Sequence, residues 1–111
     1  MDILEVKTGN ILVLVFKGRL DANTSNGAQE KIMGLIDRGE IRLVADLSEL
    51  DYISSAGLRV FMVAAKKLKS CNGKIALCSL KEHIKEIFDI AGFSVLFPTH
   101  DLRDEAIKSL Q

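Results

Sequence analysis

An α/β fold with a mixed, mostly parallel sheet is the architecture this sequence predicts, and three observations carry it. Short apolar runs rich in Val, Ile and Leu alternate with segments whose apolar residues recur every three or four positions. From Ile41 onward the order is strand, helix, strand, helix, strand, helix. The intervening connections are short and polar, so right-handed crossovers and parallel pairing follow.

The elements follow in chain order. Leu4-Glu5-Val6 alternates, Thr8-Gly9-Asn10 supplies turn residues and Ile11 to Phe16 is a β-rich run, which together predict an antiparallel hairpin whose second strand is buried on both faces. Gly18-Arg19-Leu20-Asp21 breaks that run. Ala28, Ile32, Leu35 and Ile36 then mark a first helix stopped by Gly39. Ile41 to Asp46 reads as a strand, and Leu58, Phe61, Met62, Ala65 and Leu68 as a second helix ending near Asn72-Gly73. Lys74 to Cys78 is a further strand. Ser79 and Glu82 have the spacing of a capping box for a third helix with the stripe Leu80, Ile84, Ile87, Phe88 and Ala91, closed by Gly92. Ser94 to Phe97, ahead of Pro98, reads as the last strand, and Leu102, Ala106, Ile107 and Leu110 as a fourth helix.

At 111 residues and 48% hydrophobic content the chain is expected to be one domain spanning residues 1–111, with no repeat or linker composition to divide it. Fifteen basic and fifteen acidic residues cancel, which argues against nucleic acid as a partner. The longest apolar runs, Ile11 to Phe16 and Val60 to Ala65, are too short for membrane insertion, and the acidic start does not read as an export signal, so a cytoplasmic location is expected; the free chain is expected to be a monomer. Cys71 and Cys78 form no Cys-x-x-Cys pair and have no ligand-spaced companions, so no metal or cofactor is expected and ordinary buried or half-buried thiols are. The glycines are scattered, without a phosphate loop, and His83 and His100, both expected at the surface, belong to no nucleophile motif. The chain is therefore not expected to be an enzyme.

In α/β sheets function gathers where strands end and helices begin. The junction from Asp46 to Leu58 is the densest in hydroxyls and carboxylates, and Gly18 to Asp21 would share its edge if the two strands are neighbours. Ser54 or Ser55 stands at the N-cap of the second helix, yet neither has Glu or Gln three residues on, and two serines exceed what one cap requires. A helix start flanked by Ala56 and Gly57 would stabilise a phosphate on either hydroxyl. Val60, Val63 and Ala64 form a second apolar set on that helix, a docking patch if exposed, and Arg59 in its first turn is a candidate partner for an acid.

Asp46-Leu47-Ser48, Tyr52 to Val60 and the upstream Gly18-Arg19-Leu20-Asp21 together resemble the STAS domain family, specifically its stand-alone bacterial anti-sigma factor antagonists, over essentially the whole chain. The resemblance implies a STAS-like fold and a partner switch. The unphosphorylated antagonist binds an anti-sigma factor that is also a serine kinase, which frees the sigma factor; phosphorylation ends binding and a serine phosphatase restores it. The family motif, Asp-Ser-Ser/Thr-Gly-Leu, places the phosphorylated serine on Ser55, with Ser54 as the alternative, and the family's other aspartates on Asp21 and Asp46. Here Ser54 stands for the aspartate and Ala56 for the second hydroxyl residue. The expected partner surface comprises Asp21, Asp46, Ser54, Ala56, Gly57, Arg59, Val60 and Val63. The expected penalty is the phosphate joining Asp21, Asp46 and Asp51 at that surface.

Two other readings use the same residues. A STAS subunit of a transport or signalling complex would keep the fold without the switch. A phospho-aspartate receiver would use Asp46 as acceptor, with Asp21, Glu49 and Asp51 around a magnesium ion. Leu20-Asp21, however, offers one carboxylate where a receiver needs two, and no lysine precedes Pro98.

Overall fold

The apolar run from Ile11 to Phe16 becomes the spine of a five-stranded sheet in a computed structural model that describes residues 1–111. Along the chain lie β1 (Asp2–Thr8), β2 (Ile11–Leu20), α1 (Ser25–Asp37), β3 (Arg42–Ile53), α2 (Ser55–Ser70), β4 (Lys74–Cys78) and α3 (Glu82–Ile90). A 3₁₀ turn (Phe93–Val95), β5 (Thr99–His100) and α4 (Arg103–Ser109) complete it. The strands stand in the order β1-β2-β3-β4-β5, with β1 antiparallel to β2 and every later pair parallel. Because that order never reverses, right-handed crossovers bring α1, α2 and α3 to one face and leave α4 to cover the other.

Alternation sorts the side chains accordingly. Leu12, Leu14, Phe16, Leu43, Ala45 and Leu47 pack under α1, α2 and α3, while Ile11, Val13, Val15, Val44, Ala76 and Cys78 lie on the α4 side with Ala106 and Ile107. Phe16, Phe61, Phe88, Phe93 and Phe97 all meet in the first layer, with neighbouring ring centroids 5.3–6.4 Å apart. That layer is the principal core.

Six sequence expectations need correction. The last strand is not Ser94 to Phe97: that stretch winds into the 3₁₀ turn, because Phe93 and Phe97 are both buried four residues apart while Ser94, Val95 and Leu96 face solvent. Pairing begins after it, with the Leu77 N–H donating to the Pro98 carbonyl at 2.9 Å. Ser79 does not cap α3. Its φ of +59° turns the chain, its hydroxyl donates to the Asp101 carbonyl at 3.1 Å, and Lys81 precedes the helix. β2 continues through Gly18 to Leu20, and β3 runs on from Asp46 to Ile53 instead of ending there. His100 is only half exposed, with Nε2 buried, and Cys71 is exposed, neither buried nor half-buried.

Asp46 therefore sits within a strand. It is 4% exposed on the α4 side, and its Oδ2 accepts from the Arg103 Nε at 2.9 Å, with Arg103 Nη2 also at 2.9 Å. Its Oδ1 accepts from the Ser48 N–H at 3.0 Å. Removing the guanidinium strands a desolvated carboxylate, so Arg103→Ala is expected to cost about 2 kcal/mol, read as a shift in the urea midpoint.

Candidate functional site

Beyond the end of β4, β2 and β3 run on together, with β1 alongside β2 only as far as Lys17, and then continue as a two-stranded ribbon. Cys78, the last residue of β4, pairs with Asp46, whereas the β2–β3 ladder runs on to Leu20 and Ile53. Between the pairs Val15–Asp46 and Lys17–Glu49, and again between Gly18–Leu50 and Arg19–Tyr52, β3 contributes one residue more than β2. Two such bulges bend and twist the ribbon, and Gly18 meets the second with a φ of +108°. The hydroxyl-rich and acidic stretch after Asp46 is thus bulged strand, with Leu50 and Ile53 inward and Ser48, Glu49, Asp51 and Tyr52 outward.

The ribbon is fastened along its sides. The Lys81 ammonium bonds Asp51 Oδ1 at 2.6 Å and the His83 Nε2–H donates to the Asp51 carbonyl at 2.7 Å, so the start of α3 grips the ribbon. The Lys81 hydrogen bond, followed by the Lys81 charge, holds the Asp51 carboxyl below its ordinary value. The contribution of this exposed brace is present above the ordinary carboxylate value and is lost as pH falls through the lowered one. On the other strand the Arg19 guanidinium lies 4.3 Å from the Tyr52 ring centroid. Neither contact was legible in the sequence, where Asp51 and Lys81 stand thirty residues apart.

At the ribbon's tip the chain enters α2. The Ser54 N–H donates to the Leu20 carbonyl at 3.0 Å, and the extended Ser54 is the N-cap, its hydroxyl accepting from the Gly57 N–H at 3.2 Å. Gly57 is buried against the end of β2, where a Cβ would lie 2.6 Å from the Leu20 carbonyl oxygen and 2.8 Å from Ile53 Cγ1. Only glycine lets the helix start this close to the ribbon. Ser55 follows as the first helical residue; it is exposed, and its hydroxyl makes no hydrogen bond within the chain. The two serines thus divide the work: one caps and the other is free. No acid occupies the first turn, and exposed Arg59 lies one turn on, on the same side of the helix.

The expected phosphoacceptor Ser55 is exposed; of the residues expected at the partner surface, Arg59 is exposed and Ser54, Ala56, Val63 and Asp21 are half-buried. Asp21 bounds the site by shaping the turn into α1, its Oδ1 accepting from the N–H groups of Asn23 at 2.9 Å and Thr24 at 3.2 Å. Val60 and Ala64 belong instead to the core, each 1% exposed, and Gly57 is buried. Met62, 40% exposed, takes the outer position that Val60 was expected to hold. Asp46 lies on the opposite face of the sheet, held by Arg103, and so is neither part of this surface nor an open acceptor. The carboxylates once expected to repel a phosphate already have cationic partners: Asp21 faces Arg19 at 3.8 Å, Asp51 bonds Lys81 and Asp46 bonds Arg103.

The thiols differ sharply. Cys78 lies in the sheet, where burial and then the Asp46 charge push its pKa up to about 11, while Cys71 is exposed after α2. One equivalent of an aromatic disulfide reagent is expected to react rapidly, at Cys71, and the second only on unfolding.

A sheet whose strand order never reverses has no switch-point crevice for a small substrate; what it offers at this end is a surface. Comparison with known proteins gives that surface its context. The STAS domain model matches residues 3–106, and the chain belongs to this family. It is 39% identical over 100 residues to BtrV of Bordetella bronchiseptica, assigned as an anti-sigma factor antagonist, covering 90% of this chain and 86% of that one. It is 30% identical over 105 residues to the anti-sigma-B factor antagonist of Listeria monocytogenes, covering 95% and 91%. Its fold matches the Bacillus cell fate determinant SpoIIAA in the phosphorylated form with a TM-score of 0.78 at 18% identity, covering 99% of this chain and all of the other (100%).

Proposed function

We propose that this chain is an anti-sigma factor antagonist that works by partner switching. Unphosphorylated, it binds an anti-sigma factor with serine kinase activity and so releases the sigma factor; phosphorylated on Ser55 it lets go, and a serine phosphatase resets it. One observation carries the choice of residue. Ser54 uses its hydroxyl to cap α2, whereas Ser55 presents an unbonded hydroxyl at the tip of the ribbon, where another protein's active site can reach it.

The physical consequence of the modification falls on the partner. A phosphoserine carries a charge of about −1.5 to −2, and here it meets the positive end of α2, with Arg59 one turn away. The chain's own structure accommodates it. The surface Ser55 and Arg59 offer to a partner changes sign, and desolvating that charge opposes binding without any rearrangement of the fold.

Purification from the native cell with phosphatases blocked, followed by mass spectrometry, tests the assignment. Phosphate is expected on Ser55, with a kinase-fold partner accompanying only the unmodified chain. Phosphate confined to Ser54, or a partner bound equally to both forms, would refute it.

A further inference from the structure

At the far end of α2 from Ser55 the surface opens into a groove of about 750 Å³. Its frame is the last turns of α2, the start of β4, residues 96–98 and the end of α4. Leu68, Ile75, Phe97 and Leu110 supply its floor, and Met62 and Leu96, 40% and 57% exposed, stand along it. The volume lies within the range of small-molecule sites, and a recess framed by four elements differs from the broad face of about 800 Å² that a protein partner covers.

The charge around it is one-sided. Lys66, Lys69 and Lys74 line the groove, and no acidic residue does. Of the ten lysines, Lys7, Lys17, Lys31, Lys67 and Lys81 each pair with a carboxylate within 4 Å; these three pair with none, and the other two unpaired ones, Lys85 and Lys108, lie outside the groove. In a chain of zero net charge, three cations left without counter-charge beside exposed apolar surface match a ligand with an anionic head and an apolar tail. We propose that the groove binds a free single-chain anionic amphiphile with the chemistry of a medium-chain carboxylate. The tail lies along Met62, Ile75 and Leu96 and the lysines hold the head. At 1.5 Å per residue, Lys69 is about 20 Å along α2 from Ser55, so this site stands independently of the phosphoacceptor reading.

The test is a titration followed by ¹H–¹⁵N NMR with octanoate, decanoate and dodecanoate, each kept below its micellar concentration. Saturable shifts are expected at Ala65, Leu68, Ile75, Leu96 and Leu110, with affinity rising about fourfold per added methylene. Dodecanol, and dodecanoate with the triple variant Lys66→Glu, Lys69→Glu and Lys74→Glu, are expected to bind about tenfold more weakly or worse. Ala65→Trp, checked for native folding by circular dichroism, is expected to fill the groove and abolish binding; the charge-reversed variant decides the matter if it misfolds. The proposal is overturned by shifts that do not saturate or that map elsewhere, by affinity independent of chain length, or by full affinity in the charge-reversed variant. Sedimentation with phosphatidylglycerol vesicles through the same lysines, with no binding of free dodecanoate, would assign the groove to a membrane surface and equally overturn it.

Discussion

Ser55→Asp is expected to weaken binding to the co-purified kinase partner by at least about thirtyfold, and stoichiometric phosphorylation by up to several thousandfold, while Ser55→Ala binds as tightly as the native chain. The range follows from a cost of roughly 2 to 5 kcal/mol for a charge left unpaired in an interface, at 1.4 kcal/mol per decade of affinity. Aspartate carries less charge than phosphate and falls at the lower end. Because the Ser55 hydroxyl bonds to nothing in its own chain, neither variant is expected to change the melting temperature by more than about 2 °C. Calorimetric titration of the three forms checks both statements. Equal affinities for Ser55→Ala and Ser55→Asp would instead indicate a STAS subunit that assembles without switching.

Gly57→Ala is expected to be the most damaging single-methyl change in the region. Its Cβ would sit 2.6 Å from a backbone oxygen that cannot turn aside as a side chain could, so α2 must lift from the ribbon or the ribbon must bend. A cost of about 3 kcal/mol corresponds to a melting temperature roughly 15 °C lower for a domain of this size. Partner affinity falls with it, because Ser54 and Ser55 are placed by the same contact. Gly34→Ala supplies a control of opposite sign: that glycine lies inside α1 with open space where its Cβ would stand, and alanine there is expected to stabilise by about 0.5 to 1 kcal/mol. Thermal melts of the two variants read both effects.

Local periodicity made most of the architecture legible, since the stripe of α1 and the run from Ile11 to Phe16 point unambiguously to one face or to both. It failed where long-range pairing overrides local cues. Asp46 looks like a strand terminus because polar residues follow it, yet Glu49, Leu50, Tyr52 and Ile53 pair with β2, a partner no local window contains. The parity of Leu43, Ala45 and Leu47 already assigns Asp46 to the face opposite α2, had the strand been carried through. Phe93 and Phe97 carried the signal against a strand at Ser94 to Phe97, being spaced as on a helix with nothing alternating between them. At the site, the free hydroxyl at Ser55 was readable from two serines where one cap suffices. Val60 was misplaced because an apolar helix with two stripes does not reveal which one a sheet will cover.

The strand order has a kinetic corollary. Each ladder joins strands that are successive in the chain, so no pairing has to wait for a distant segment, and the entropy lost in closing each loop stays small. The hairpin of β1 and β2 can form first, and each strand–helix unit that follows docks on an edge already built. Such a molecule is suited to assembling in the direction of its own synthesis, with its C-terminal helix sealing the second face last.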